Sequence, residues 1–382
     1  MMDIADYLLR NSEEIVTPSL LIYPEVVDSN IQAAIRVMRG NPDRWRPHFK
    51  TVKSGWVARR LRHFGVNQVK VSTTLELAVV CEAGIADVLI AYPLVGANAR
   101  RVDEIAAQFP ETRISVLVET EAQLTLWSGS RIGVFVDINP GMDRTGVRQE
   151  RAQIILDLAR AAGPAFRGVH YYDGQVTSPD LRDREIKAHE GYKRLMEIIG
   201  YLEAQGTPAR EVVTSGTPVF PFAISFEGFQ SGRFVHRVSP GTILFNDLGS
   251  LSQLPPSLGF RAAALVLATV VSHPGPLYAT CDAGHKSVSA DAGVPTCAVV
   301  GRPDLEPLKP SEEHLPLRAA NLEAVPAIGE QLYLLPRHVC PTVNNFDEAL
   351  LVVRGEIQSA QAIDARGHEN PAVSYPAIPA LT

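Results

Sequence analysis

The sequence has few of the features that mark secreted, membrane-spanning or nucleic-acid-binding chains. It contains only four cysteines, Cys81, Cys281, Cys297 and Cys340, with no C-x-x-C spacing, which is too few for a disulfide scaffold. No run of eighteen apolar residues occurs, so no helix is expected to span a membrane. The net charge is −6 and the basic residues are dispersed, which argues against a nucleic-acid or membrane partner. Residues 1–10 lack the pattern of a signal peptide, and we expect a cytoplasmic protein.

What the sequence does have is length and a regular alternation of segments. Its 382 residues, 46% of them hydrophobic, can form two domains. The predicted strands are Arg46–Lys50, Gln68–Ser72, Asp87–Ala91, Ile114–Val118, Ile132–Ile138, Arg167–Tyr172, Glu211–Ser215 and Phe234–Val238. The predicted helices are Ser54–His63, Thr74–Ala83, Ala97–Gln108, Glu121–Ser128, Gln149–Ala162 and Arg182–Ala204. Apolar strands alternating with helices predict a (β/α)8 barrel of the TIM type.

From about Phe260 the helical period is lost. Strand-like segments separated by turns rich in glycine and proline predict a β-rich C-terminal domain. These segments are Arg261–Ser272, Leu277–Asp282, Thr296–Val300, Gln331–Leu335 and Ala349–Arg354. The predicted domains are therefore the barrel at residues 25–255 and the β domain at residues 256–382, which the N-terminal segment 1–24 is expected to join. Pro371–Thr382 is expected to be irregular.

The segment Trp45–Lys53 carries the most suggestive group of polar residues. With the period of two of a strand, Arg46, His48 and Lys50 share one face. Such a face is either exposed to water or in contact with an anion. In a barrel, Lys50 would lie at a C-terminal strand end, where barrel enzymes hold their catalytic groups, and cationic neighbours would favour its nucleophilic form. An ordinary basic strand end at the surface is the alternative.

The pattern R-P-H-x-K-T-x-K at Arg46–Lys53 resembles the pyridoxal-phosphate lysine motif of the D-threonine aldolase and D-serine dehydratase family. That family is built on the alanine-racemase type of barrel. The resemblance implies pyridoxal 5'-phosphate as cofactor and Lys50 as the lysine that binds it, and we assign His48 to the same site. The chain departs from the family pattern at Val52, where relatives have a second histidine.

Two further segments resemble the same group of enzymes. Gly141–Gly146 is similar to the G-M-x-R-x-G segment of alanine racemases, which implies that Arg144 faces the cofactor ring. Tyr172 lies in a Y-x-G segment that the resemblance places beside the cofactor, whereas His170 is interpreted as a buried structural histidine. Many D-threonine aldolases continue with a Gln-His pair that supplies the base. This chain has Val176–Ser178 there, so the sequence does not identify the general base.

Small residues follow the last two predicted barrel strands. They are Ser215, Gly216 and Thr217 after one strand, and Gly241 and Thr242 after the next. Backbone N–H groups and hydroxyls at successive strand ends can bind a phosphate, and barrels commonly do so at these two loops. The pattern favours a phosphate site over plain turns, and the family resemblance implies the same.

The last candidate is the pair His338 and Cys340 in the pattern R-H-V-C-P-T-V-N. On an extended segment, side chains at i and i+2 project to the same side and can share one metal ion. Imidazole and thiolate favour Zn²⁺ over Mn²⁺ or Mg²⁺. The pattern also resembles the metal pair of the same family, in which water and substrate would complete an open coordination shell.

The motifs together predict a lyase that depends on pyridoxal phosphate and a divalent metal and acts on D-configured β-hydroxy amino acids. Retro-aldol cleavage to glycine and an aldehyde is favoured by the P-T-V-N context. Deamination of D-serine or D-3-hydroxyaspartate to an oxo acid and ammonia is the alternative, favoured by cysteine as the second metal ligand. The metal pair argues against two further alternatives, a non-catalytic cofactor carrier and an amino-acid racemase. The resemblance also implies a homodimer in which one subunit's β domain completes the other's site.

Overall fold

The computed structural model describes residues 4–370, which form two compact units. The barrel unit contains Ile35–Lys50, Gly55–Gly241 and the described residues from Gly367 onward. The β unit contains the described residues up to Ala34, Thr51–Ser54 and Thr242–Arg366. None of the helices within this described range is long and apolar enough to cross a lipid bilayer. The predicted irregular segment Pro371–Thr382 lies outside the described residues.

The first strand of the chain, β1 (Ser19–Ile22), lies in the β unit, and the next eight belong to the barrel unit. They are β2 (Gln68–Val71), β3 (Asp87–Ile90), β4 (Arg113–Val118), β5 (Gly133–Asn139), β6 (Val147–Arg148), β7 (Phe166–Tyr171), β8 (Glu211–Thr214) and β9 (Val235–Val238). All pairings are parallel, in the order β2-β3-β4-β5-β7-β8-β9 with β6 beside β5. Parallel bridges from Trp45 to Val238 and from His48 to Lys70 link both ends of this order to the segment 45–48. The barrel fold class is confirmed.

Helices alternate with the barrel strands. The first, α1 (Pro24–Val37), precedes them, and the others are α2 (Gly55–His63), α3 (Thr74–Glu82), α4 (Gly96–Gln108), α5 (Glu121–Thr125), α6 (Ala152–Ala162), α7 (Leu181–Ala204) and α8 (Phe220–Ser225). Two of them begin with a threonine N-cap just after a strand. Thr73 accepts a hydrogen bond from the N–H of Glu76 before α3, and Thr120 does the same for Gln123 before α5. These caps fix where the chain leaves the C-terminal strand ends.

The remaining strands form the β unit. They are β10 (Ala264–Gly275), β11 (Tyr278–Cys281), β12 (Cys297–Val299), β13 (Leu305–Pro307), β14 (Leu315–Ala319), β15 (Gln331–Pro336), β16 (Glu348–Val353) and β17 (Glu356–Ala362). The sheet runs in the order β13-β14-β11-β10-β1-β16-β17, with β15 beside β10 and β12 beside β15. In it β1 is antiparallel to β10 and parallel to β16. Two short helices, α9 (Leu248–Gln253) and α10 (Val339–Val343), complete the unit. The β-rich C-terminal domain is confirmed.

An ionic layer fills the barrel interior at the N-terminal ends of the strands. The fully buried Arg46 pairs with Asp87 at 3.1 Å and with Glu211 at 2.9 Å. Arg167 pairs with the same two carboxylates at 2.8 and 3.2 Å. Burial alone would raise the pKa of Asp87, but Arg46 and Arg167 outweigh it and hold that pKa well below its usual range. Above this layer lies an apolar one, formed by Leu89, Leu117, Phe135 and Val213.

The structure corrects the first predicted strand, Arg46–Lys50. Only Trp45 and His48 form bridges, and Phe49–Thr51 is a 3₁₀ turn that carries Lys50 at an exposed position. The common basic face was therefore wrong, because Arg46 is buried by its carboxylate partners while Lys50 has already left the sheet. Three strands of the β unit, β13, β14 and β17, were missed, because prolines and charged residues interrupt their apolar pattern.

Candidate active site

The candidate site is built from the residues that follow the barrel strands. Lys50 stands two residues after His48, whose Nδ1 lies 3.4 Å from the Lys50 backbone nitrogen. The other ring nitrogen of His48 lies 3.3 Å from the Ser72 hydroxyl, just beyond β2. The imidazole is thus held between the chain that carries Lys50 and the end of the neighbouring strand.

Two cations of the same unit contact the ring of Tyr172. The Arg144 guanidinium is 4.8 Å from its centroid, and the Lys70 Nζ is 5.4 Å from it. Glycines make room for this ring, because a Cβ added at Gly174 or Gly216 would collide with its atoms. Cation–π contacts on an aromatic ring fix its plane. Arg144 and Tyr172, which the sequence selected separately, are therefore brought together.

A buried chain of hydrogen bonds lies in the barrel interior toward the C-terminal strand ends and is formed by Lys70, His170 and Asp137. Lys70 Nζ lies 3.0 Å from His170 Nε2, and His170 Nδ1 lies 2.7 Å from Asp137. The second oxygen of that carboxylate accepts a hydrogen bond from the Thr145 hydroxyl. The carboxylate acceptor assigns the proton of the neutral imidazole to Nδ1, which leaves Nε2 to accept from the Lys70 amine. Lys70 and Asp137 were not among the residues selected from the sequence.

Burial and like charges dominate the electrostatics of this cluster. Burial, together with the charge of Lys50, lowers the pKa of Lys70 to about 7. The pKa of His48 lies well below its usual range for the same reasons, and burial with the charge of Lys70 lowers that of His170. An anion bound nearby would offset the repulsion between these cationic groups. The cluster therefore suits an anionic ligand.

The loops after β8 and β9 meet beside this cluster. The N–H of Ser239 donates to the carbonyl of Ser215, a residue whose φ of 62° is unusual for a side chain other than glycine. The Ser239 hydroxyl is buried, and no described residue forms a hydrogen bond with it. An additional Cβ at Gly241 would collide with the backbone of His48. The orphaned hydroxyl and the close backbone approach fit a phosphate group in these loops, where Gly216 and Thr217 also lie.

The predicted metal pair lies in the β unit, and its local structure differs from the expectation. His338 and Cys340 were expected on an extended segment, which was wrong: His338 caps the N-terminus of α10 and Cys340 lies within it. The helix begins there because Asp247 accepts the N–H of Val339 at 2.9 Å. The two side chains still lie within hydrogen-bonding reach, and the Thr51 hydroxyl is 3.2 Å from the Cys340 sulfur.

Asp291 orients the candidate metal histidine. Its carboxylate lies 2.6 Å from His338 Nδ1, which leaves Nε2 as the ring nitrogen that can bind a metal ion. Burial lowers the pKa of His338, but Cys340 and Asp291 outweigh it and raise that pKa to about 9. No set of three or more side-chain ligands occurs among residues 4–370. A histidine fixed by a carboxylate, beside a cysteine, fits a metal ion with open coordination positions. Thr242 also belongs to this unit, with its hydroxyl 3.8 Å from the Cys340 sulfur.

Comparisons with known proteins extend over nearly the whole chain. The family model for the alanine racemase N-terminal domain matches residues 22–248, and the model for a putative serine dehydratase domain matches residues 263–352. A 3-hydroxy-D-aspartate aldolase of Paracoccus denitrificans is 28% identical over 94% of both chains. A D-threo-3-hydroxyaspartate dehydratase of Delftia is 26% identical, over 90% of this chain and 96% of the relative. The crystal structure of D-threonine aldolase from Filomicrobium marinum superposes with a TM-score of 0.85 at 28% identity, over 93% of this chain and 97% of the other.

The fold and the strand-end cluster therefore define an alanine-racemase-type barrel protein. Because the first family model covers more than half of the sequence, the chain belongs to the alanine racemase N-terminal domain family. The family predicted from the motifs is confirmed.

Proposed function

We propose that the protein is a pyridoxal-phosphate-dependent lyase that cleaves D-configured β-hydroxy amino acids by a retro-aldol reaction. The observation that carries this proposal is the cluster of Lys50, Lys70 and Arg144 at the C-terminal strand ends. Asp137 adds a carboxylate to it, at the end of the hydrogen-bond chain that begins at Lys70. Such a cluster can hold a substrate carboxylate beside the cofactor. Relatives named as aldolases and a dehydratase, aligned over nearly their whole length, support the reaction class.

The residues at the strand ends have distinct roles toward the cofactor. Lys50 would bind it covalently, Arg144 and Tyr172 would orient its ring, and His48 would hold the chain beside it. The loops that contain Ser215, Gly216, Thr217 and Gly241 would bind its phosphate, and Thr242 is assigned to that role by the sequence pattern alone. When bound, pyridoxal phosphate supplies an electron sink for the bond that breaks at the substrate Cα.

His338 and Cys340 would hold one divalent metal ion, and we propose Zn²⁺ because a thiolate is one of the two ligands. The ion would supply Lewis-acid chemistry toward the β-hydroxyl of the substrate. Asp291 keeps the His338 ring in the orientation that binding requires.

Lys70 is our candidate for the proton acceptor that the missing Gln-His pair would have supplied. In its neutral form the amine donates one N–H to His170 Nε2 and keeps the lone pair of Nζ for a proton of the substrate. Asp137 holds His170 in the tautomer that accepts this bond. Because its pKa is about 7, Lys70 can take up and release a proton near neutral pH.

Dehydration is the second candidate reaction, and Cys340 is the observation that favours it. In that reaction a base removes the α-proton and the β-hydroxyl leaves as water, so that an oxo acid and ammonia result. Lys50 or Lys70 would take the α-proton. We also propose that the protein is a cytoplasmic homodimer, which light scattering after size-exclusion chromatography would test.

A product assay separates the two reactions. The cofactor-loaded enzyme should release glycine and the aldehyde from D-threonine and D-phenylserine, and added Zn²⁺, Mn²⁺ or Mg²⁺ should restore activity after chelation. Ammonia and an oxo acid that appear in step with substrate loss would contradict the aldolase proposal and support the dehydratase. Turnover that withstands chelation and complete metal removal would contradict the role of His338 and Cys340.

A further inference from the structure

The ionic end of the barrel opens into a cavity of ≈ 650 Å³. It lies at the N-terminal ends of the strands, whereas Lys50 follows the C-terminal end of the segment that bridges β9 and β2. Its charged lining residues are Arg113, Arg131, Arg167, Arg210, Arg237 and Glu211. The volume is within the range of pockets that bind small ligands. Nothing in the proposed lyase reaction uses this cavity.

Positive charge at this end of the barrel exceeds the negative charge that pairs with it. The buried Arg46 lies behind the lining, so six guanidinium groups meet two carboxylates, Asp87 and Glu211. Each of these carboxylates already pairs with three arginines. Asp87 pairs with Arg46, Arg113 and Arg167, and Glu211 pairs with Arg46, Arg167 and Arg237. Four positive charges therefore remain uncompensated among the described residues, in a chain whose net charge is −6.

Two arginines of the rim carry charges that no carboxylate neutralises. Arg131 donates to the backbone carbonyls of Ala106 at 3.1 Å and Thr112 at 2.6 Å, which fixes its position without compensating its charge. The guanidinium of Arg210 forms no hydrogen bond or ion pair with residues 4–370, the part of the chain that the structure describes. These residues precede β5 and β8, which are two strand spacings apart, roughly 10 Å. Both residues line the cavity, and they enter it from the ends of different strands.

We propose that this cavity binds a small polyanion that bears two phosphate groups. The guanidinium fork pairs with phosphate through two parallel hydrogen bonds, and a cleft with an excess of positive charge concentrates anions. Two phosphate groups carry a charge of about −3 to −4 near neutral pH, which matches the net excess of four positive charges at this end of the barrel. Because Arg131 and Arg210 precede different strands, each can bind a different phosphate group. This site is independent of the lyase reaction and lies at the other end of the strands.

Calorimetric titration with inorganic pyrophosphate tests the proposal. The cofactor-loaded enzyme is used, so that the phosphate site of the cofactor is filled. We expect one binding event per chain with a Kd that rises as NaCl is added. The double variant Arg131→Gln/Arg210→Gln should weaken it at least about tenfold, because two charge-assisted contacts are lost. The matched control Arg100→Gln/Arg182→Gln removes two exposed arginines outside the cavity and should leave Kd within about twofold.

Three results would overturn the proposal. The first is the absence of binding to the parent enzyme, and the second is equal weakening in both double variants, which indicates only general attraction of anions. The third is equal affinity for inorganic phosphate and pyrophosphate, which contradicts a site for two phosphate groups. Lyase turnover, measured in parallel, should be the same in both double variants and the parent enzyme. That result verifies the fold and separates failure of this proposal from failure of the lyase assignment.

Discussion

The two ends of the barrel interior hold similar side chains in opposite electrostatic arrangements. In the ionic layer, the buried Arg46 and the partly buried Arg167 each pair directly with two carboxylates, Asp87 and Glu211. At the other end Lys70 is buried with a neutral partner, His170, and its nearest carboxylate is one residue further along the hydrogen-bond chain. Direct ion pairs hold strands together, whereas a buried cation without a direct carboxylate partner is tolerated where a ligand or a proton transfer requires it.

The same difference appears in the pKa values. Arginine partners lower the pKa of Asp87, so this carboxylate stays ionised throughout the physiological range. Burial and like charge lower the pKa of Lys70 to about 7, so this amine exchanges its proton near neutral pH. The ionic layer is suited to stabilising the fold, and the cluster around Lys70 is suited to proton transfer.

The largest expected effect is the replacement of Lys50. Lys50→Ala should reduce turnover at least about a thousandfold and abolish the visible absorption of the bound cofactor, because no amine remains to bind it covalently. Circular dichroism should show an unchanged fold. The matched control Lys193→Ala, at an exposed position of α7, should retain both signals. Retention of cofactor absorption and turnover by Lys50→Ala would end the assignment.

Arg46→Met tests the ionic layer. It leaves Asp87 and Glu211 with one buried cation fewer and should lower the free energy of unfolding by ~3–5 kcal/mol, measured by denaturant titration. Lys70→Met, at the other end, should cost no more than ~1–2 kcal/mol, because it leaves one unpaired imidazole nitrogen but no unpaired charge. Equal losses in the two variants would remove the distinction between the two ends.

The pH dependence of stability follows from the lowered pKa of Lys70. Between pH about 7 and 10 the unfolded lysine still binds its proton while folded Lys70 has released it. The unfolded state then binds more protons, so this residue makes stability rise with pH, by at most ~1.4 kcal/mol per pH unit. Denaturant titrations of cofactor-free protein at several pH values should show a slope that Lys70→Met reduces. Parallel curves for the two proteins would contradict the lowered pKa.

The smallest effect is expected at Asp291. Asp291→Asn keeps the size of the side chain but weakens its hold on His338, so metal affinity should fall about 10–100-fold. Competition with a chromophoric chelator measures it. Cofactor absorption should not change, and Glu323→Gln, which removes an exposed carboxylate of the same unit, serves as control. Unchanged affinity in Asp291→Asn would show that His338 needs no such partner.

Local patterns in the sequence were sufficient for the alternation of strands and helices and for residues next to strand ends. Arg144 and Tyr172 could be selected because each lies near the end of a recognisable strand, in a segment that resembles one in this group of enzymes. The hydrogen-bond chain of Lys70, His170 and Asp137 could not be predicted in this way. Lys70 is a single polar residue within a short apolar strand, and it contacts His170 across 100 residues of sequence.

Long-range contacts also explain the errors around the metal pair. The helix after His338 begins because Asp247, 92 residues earlier, accepts the N–H of Val339. Asp291 reaches His338 across 47 residues. Neither contact leaves a periodic or motif-like signal in the sequence, so the segment resembled an extended strand.

The central claim is that the cofactor site lies at the C-terminal strand ends, where Lys70 is buried without a direct carboxylate partner, and that the two lysines there have different roles. Borohydride reduction of the cofactor-loaded enzyme, followed by peptide mapping with mass spectrometry, tests it most directly. We expect the pyridoxyl group on Lys50 alone, with Lys70 unmodified and free to transfer protons. Modification of Lys70, or of a lysine outside this end of the barrel, would contradict the account.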